Sequence, residues 1–440
     1  LDALTTGSAT LNVAVGVAAL QASSATTGQY YKNTGVGYLA LRCVGATTEN
    51  ILYCTSVGGE SLYYNTGSYN TAVGYKAAFN NRAGSYNTAI GYQANSANTT
   101  GSDNVAVGYN SLGSNSSGSY NTAVGRQSLA SNETASNNTA VGYQALYSSS
   151  GAAPNIVAIG YQSAYSYTGA GSNQGQVYVG AGAGYTNTAG IDNTFVGGFA
   201  GFKVTGSYNT ALGSGALSVT NGGATGSYNT AIGYAALISN TSSVNNTAVG
   251  SGAGGNVTIG QNNVFIGQGA GNTTTAIVSG SQNIHVGVAT IASASNVDYE
   301  HVIGFNLTGK GGNTVYIGNG ACYQGNNSAN WSTTSDRRLK KNIVDNNIGL
   351  AKITAIQVRN FEYRLPEEVT ELPQNQAIQK SGTQLGVIAQ ELQAVLPECV
   401  KEESTGVLSV DADNLTWYMI NAIKELKAEV DSLKQQLASR

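Results

Sequence analysis

From Asn12 onward the chain repeats one short pattern of polar and apolar positions. NTAVG stands at Asn70, Asn121, Asn138 and Asn246, NTAIG at Asn87, and NVAVG at Asn12 and Asn104. Within a unit such as NTAVGYQAL, small or polar residues alternate with apolar ones over a few positions, and a G-S-Y-N or S-N-N cluster then turns the chain. The pattern predicts short strands joined by tight turns. Its closing glycine recurs at Gly74, Gly91, Gly108, Gly125 and Gly142, a step of 17 residues that stretches to 20 or 21 where a loop is inserted. Propeller blades and helical repeats need about 33 to 50 residues, so this period fits one coil of a parallel β-solenoid. A coil that orders its whole backbone and buries only a few Val, Ile or Leu side chains cannot stand alone. Ladder hydrogen bonds to the coils above and below must hold it, and association of several chains would help.

After Trp331 the pattern breaks. The last 110 residues hold 13 of the 20 Lys and Arg, 15 of the 23 Asp and Glu, and three of the four prolines, which sets residues 331–440 apart as a second domain from the repeats of 1–330. Its periodicities predict a strand around KNIVDN, a helix or strand around GLAKITAIQVRNFEYRL, a strand-to-helix unit at QLGVIAQELQAVLPE, a short strand at VLSVD and a terminal helix over 414–438. On that helix Met419, Ile423, Leu426, Val430, Leu433 and Leu437 are spaced alternately by four and three residues, the seam of a short coiled coil.

Composition narrows the function. A formal charge of -3, with charged residues only 10% of the chain, offers no basic patch for nucleic acid or anionic lipid. No apolar run reaches the ~18 residues of a membrane span, so no membrane insertion is expected. Cys43, Cys54, Cys322 and Cys399 lack paired spacing, and only His285 and His301 could join them, so no metal and no cofactor are expected. Cys43 and Cys54 could pair across a loop, with free thiols the reading that suits a cytosol. Gly304 to Lys310 spells GxxxxGK, but Gly311 replaces the magnesium-binding Ser or Thr, which leaves a turn of the repeat. The N-x-T triplets read as turn and strand-edge residues, and the 27 tyrosines, seven of them just after the repeat glycine, as structural.

The sharpest chemistry lies in TSDRRLKKNI, from Thr334. A lysine amine holding a free electron pair can take the proton of a serine hydroxyl, and burial or adjacent cations favour that form. Ser335 and Lys340 are the candidate pair, with Arg337, Arg338 and Lys341 as the cations. Their spacing of five puts them on different faces of a helix or a strand, so a turn between them, or a lysine from a neighbouring chain, is required.

Two resemblances sharpen this reading. NIVAIG at Asn155 and its kin resemble, over roughly residues 10–320, the head repeats of trimeric autotransporter adhesins, which implies a trimeric β-roll. SDRRLKKNI, then GVIAQELQAVLPE, then LSVDADNLTWYMINAIKELKAEV, resemble the C-terminal intramolecular chaperone of phage endosialidases, tail spikes and tail fibres. That family's domain holds three chains together while the shaft folds and then cuts itself off before the motif serine. Carried over, Ser335 is the nucleophile, Lys340 the general base and Thr334–Ser335 the scissile bond, with Asp336, Arg337, Arg338, Gln390 and Glu391 in support. LSVDADN departs slightly from the family's tyrosine-containing phrase.

The resulting expectation is a mainly β protein: a trimeric parallel β-roll shaft followed by a small α+β chaperone domain ending in a short coiled coil. Its function would be that of a phage tail fibre or spike for host attachment, carried on the virion and assembled in the host cytoplasm. It would be a single-turnover autoproteolytic serine peptidase and a homotrimer. Its partners would be a host glycan or protein receptor and, through an N-terminal part beyond Leu1, the tail or baseplate. The alternatives are a bacterial trimeric adhesin with the same chaperone and a polysaccharide-degrading tail spike, which would need paired shaft carboxylates.

Overall fold

The computed structural model describes residues 11–21, 30–44, 50–149, 154–169, 175–219, 223–272, 275–318, 335–372, 377–378, 380–403 and 406–439. From Val13–Val15 to Thr314–Ile317, one short strand per coil joins an 18-stranded parallel sheet. Thr122–Val124, for example, pairs with Thr139–Val141 in the register Thr122↔Thr139, Ala123↔Ala140, Val124↔Val141. The ladder continues around the turns, where Leu112 N–H donates to Ser128 O at 3.0 Å and Tyr120 N–H to Ser102 O at 3.1 Å. The shaft is therefore a β-solenoid in which most of each coil is hydrogen-bonded to its neighbours.

Of the expected lining of Val, Ile or Leu, leucine is buried in many coils but the strand itself contributes mostly alanine. In Thr122–Val124 the inward side chain is Ala123, fully buried, while Val124 turns outward and is half-buried. Strand side chains alternate faces, so a three-residue strand sends only its middle residue inside. The space beside that alanine is filled from a corner six residues on, by the fully buried Leu129. Leu129 does so from a left-handed backbone, φ 49°, as do the other non-glycine corners Tyr120 at 59° and Gln127 at 57°. Each such corner costs about 1 kcal/mol or more, which inter-coil hydrogen bonds and leucine burial offset.

The repeat glycine has a steric cause. Gly125 lies at φ 135°, and a Cβ there would stand 2.4 Å from Gly142 O in the next coil. Coils can stack this closely only on a bare backbone.

The motif asparagines, which end the clusters expected to turn the chain, are interior residues. Asn87, Asn104, Asn121 and Asn138 are buried in one column. The side-chain oxygens of Asn87, Asn104 and Asn121 each accept the backbone N–H of the next asparagine, at 3.0 Å from Asn104 to Asn87 and from Asn121 to Asn104, and Asn138 Oδ1 accepts Ile156 N–H at 3.0 Å. Asn104 Nδ2 also donates to Gly118 O at 2.8 Å, satisfying a carbonyl that the ladder leaves over. A second column, Asn81, Asn98, Asn115 and Asn132, links side chain to side chain, with Asn115 Nδ2 donating to Asn98 Oδ1 at 3.0 Å and Asn132 Nδ2 to Asn115 Oδ1 at 2.9 Å. An amide, being both donor and acceptor, can propagate along a stack without end groups inside it.

Many tyrosines form outer columns, while Tyr167 and Tyr178 are buried inside, both consistent with a structural role. Tyr92 stacks on Tyr109 with centroids 5.3 Å apart, and Arg126 lies over both Tyr109 and Tyr143 at 5.5 and 5.8 Å. Their ring faces are covered by one another, leaving the edges outward.

Residues 335–439 form a small α+β unit. Helix α1 (Leu350–Thr354) leads to the strand Arg359–Phe361, which pairs antiparallel with Gln384–Gly386. Helix α2 (Ala389–Val395) follows, then the strand pair Val400–Glu402 and Leu408–Val410, and helix α3 (Ala412–Ala438), capped by the Asp411 carboxylate. The GLAKITAIQVRNFEYRL stretch is thus helix first and strand second, and Val400–Glu402 is a strand that periodicity did not reveal. The expected strand at KNIVDN is absent: residues 341–347 are irregular and exposed, with no neighbouring backbone to complete a ladder. Leu392, Leu396 and Cys399 make the core, with Leu415 and Tyr418 of α3 packed on it.

Candidate functional site: the Ser335–Lys340 turn

One 3₁₀ turn, Arg337–Leu339, organises the candidate site. Asp336 caps it, accepting Arg338 N–H at 2.8 Å, and the same carboxylate holds the Arg338 guanidinium at 2.7 Å. This pairing keeps Asp336 below the usual carboxylate range and raises Arg338. At the other end Lys340 N–H closes onto Arg337 O at 3.1 Å. The turn reverses the chain enough to bring Lys340 Nζ to 2.6 Å from Ser335 Oγ within one chain. Five residues of spacing are thus folded into contact by a local turn, the first of the two routes the sequence left open.

Ser335, Arg337, Arg338 and Lys340 are exposed in the single chain. Thr334 lies outside the described residues. Gln390 and Glu391 open α2, where Gln390 is exposed and Glu391 binds Arg359 at 3.0 Å, tying the helix to the strand Arg359–Phe361. Neither reaches the Ser335–Lys340 pair. The segment after the turn is fixed to α3: Asn421 Nδ2 donates to Asn346 O at 2.7 Å, and Leu350 N–H donates to Glu425 at 2.9 Å. Gly349 packs so tightly on α3 that a Cβ would stand 2.2 Å from Ala422 N. Met419, Ile423, Leu426, Val430, Leu433 and Leu437 all lie exposed along α3, between 38% and 77% of their surface.

Among the described residues no cluster of three or more His, Cys, Asp or Glu could hold a metal. Cys43, Cys54 and Cys399 are buried, and burial pushes the Cys54 thiol up to about 11; Cys322 lies outside the described residues. No described helix is long and apolar enough to cross a membrane.

The protein is thus a long parallel β-solenoid followed by a small α+β unit with a serine–lysine contact at its head. A peptidase-family model described as "Chaperone of endosialidase" matches residues 335–401, from Ser335 itself through α2 to the strand Val400–Glu402. That family implies a self-cleaving intramolecular chaperone peptidase at this end of the chain.

Proposed function

We propose that this chain is a homotrimeric phage tail fibre or spike whose C-terminal unit registers three chains, supports folding of the shaft and then severs itself at Thr334–Ser335. The observation that carries the cleavage is the 2.6 Å contact between Lys340 Nζ and Ser335 Oγ at the start of the matched segment. Lys340 takes the hydroxyl proton, and Oγ attacks the carbonyl carbon of residue 334. The Oγ–C bond forms as the C–N bond breaks, the Ser335 amine receives the proton, and water hydrolyses the ester. Because enzyme and substrate are one chain, the effective molarity is high and each copy acts once. A lysine amine becomes a base when it leaves water or meets other cations. Lys340 is exposed in the single chain, so cleavage waits for neighbouring chains to cover it.

Trimerisation is supported by two apolar surfaces of the single chain. One is the outward strand column, with Ile90, Leu212 and Ile266 40%, 47% and 42% exposed; the other is the α3 seam. Host attachment is the role this reading gives the shaft. A glycan-cleaving shaft is the weaker reading, because Glu60 is paired with Lys76 and Glu300 is fully buried.

The test is denaturing electrophoresis and mass spectrometry of wild type, Ser335→Ala and Lys340→Ala. Wild type should yield a 106-residue fragment beginning at Ser335, counted from the sequence, and both variants should stay whole yet sediment as trimers. A wild-type trimer that stays full-length would mean a retained chaperone. Cutting of Ser335→Ala at the same bond would refute the dyad.

A further inference from the structure

The last coils of the shaft contain two ionisable side chains that neither the repeat nor the cleavage chemistry requires. His285 occupies the inward position of Ile284–Val286, where most coils place alanine or an aromatic ring, and Glu300 stands where the asparagine column would continue. Both are fully buried, with His285 Nε2 3.8 Å from Glu300 Oε2.

Glu300 is well provided for. Its backbone N–H continues the column by donating to Asn283 Oδ1 at 2.8 Å, while its carboxylate leaves it, accepting Ser293 N–H at 3.0 Å and Gly311 N–H at 2.8 Å. Gly309 makes room, since a Cβ there would stand 2.0 Å from the Glu300 carboxyl carbon. The glycine-rich stretch that mimics a phosphate loop is therefore a cradle for the chain's own carboxylate, and Glu300 terminates the asparagine column. His285 is not provided for. Neither ring nitrogen has a hydrogen-bond partner, and one face lies against Phe265, with ring centroids 6.0 Å apart.

We propose that His285 and Glu300 form an acid-sensitive latch that holds the last coils, residues 284–317, closed at neutral pH and lets them open on acidification. A proton on His285 would place a cation in an apolar coil. Its nearest anion lies beyond hydrogen-bond distance and is already engaged by two N–H groups, and desolvation of such a pair outweighs its attraction. Burial, with His301 adding to it, accordingly lowers His285 to about 4 from its usual 6.5. Other charged groups nearby are engaged elsewhere: Lys310 lies over Tyr316 at 5.3 Å, and Asp298 accepts Ser281 N–H at 2.7 Å. The open coil takes up the proton below 6.5 and the closed coil only near 4, so closure is complete above that window and weakens as pH falls through it.

Hydrogen exchange with mass spectrometry on the assembled full chain tests this, with protection corrected for the intrinsic pH dependence of exchange. Between pH 7.5 and pH 5, peptides from 284–317 should lose about thirty-fold in protection, the ratio that follows from 6.5 and about 4. Peptides from 88–142, which carry no buried ionisable side chain among the described residues, should not change. His285→Phe, which extends the Phe265 column, should remove the loss, and His301→Gln should retain it. A uniform loss along the shaft, an unchanged terminal segment in wild type, or an undiminished loss in His285→Phe would each overturn the proposal. Should His285→Phe fail to assemble, the contrast between the two wild-type segments still decides.

Discussion

Exchanging Phe195 for Ala and Gly201 for Leu should damage the shaft far less together than separately. Coils with a small inward strand residue, such as Ala123, Ala140 and Ala211, carry Leu129, Leu146 and Leu217 at the corner six residues on, all buried. Coils with Tyr178, Phe195 or Phe265 at the strand carry Gly184, Gly201 and Gly271 at that corner. A Cβ at these glycines would stand 2.3, 2.3 and 2.4 Å from the respective rings. One volume is thus filled either from the strand or from the corner. Phe195→Ala alone empties it, costing about 3–5 kcal/mol. Gly201→Leu alone drives a side chain into the ring, costing about 1–3 kcal/mol for overpacking and about 1–2 kcal/mol for a left-handed leucine. The double variant restores the Ala–Leu filling. It keeps only the backbone cost and the lost Phe195–Tyr178 contact, whose centroids are 5.7 Å apart, a contact worth about 1 kcal/mol. The expected coupling is about 3–7 kcal/mol in favour of the double variant. Guanidinium unfolding followed by far-UV circular dichroism on all four chains measures it, and if the single variants do not assemble, recovery of soluble assembled protein by the double is the readout. Additive losses would refute volume exchange within the coil.

Two further outcomes follow from the same coils. Asn104→Ala strands Asn121 N–H inside the shaft, while Gly118 O keeps Asn115 Nδ2 at 2.9 Å, and should cost about 1–3 kcal/mol and lower the unfolding midpoint, whereas Thr122→Ala on the half-buried neighbouring face should change it little. Val124→Asp places its charge on the outer face, so coil formation should survive by circular dichroism while sedimentation shows weakened trimer assembly; loss of the β signal would instead mean that this face is needed within the single chain.

Much of this molecule is legible in its sequence because its physics is local and repeated. A 17-residue glycine period sets the coil, since every step must return a Cβ-free residue to the same stacked site, and one sequence suffices to read that period. The break after Trp331, the strand-to-helix unit ending in Leu396 and the α3 seam are equally visible, being changes of composition or of hydrophobic period. The Ser335–Lys340 pair could be named but not joined, because spacing alone permits either a turn or a second chain, and the contact depends on the Asp336 cap bending the backbone between them. Which face of NTAV points inward was beyond the pattern, as Ala123 and Val124 are both apolar and only the width of the coil, filled by Leu129, decides between them. The asparagines read as turn residues because a polar side chain is ordinarily solvated, and only stacking at 17-residue intervals supplies the partners that let them be buried. His285 and Glu300 are 15 residues apart, and tertiary structure alone brings them together, because adjacent coils place residues about one period apart within reach of each other's side chains.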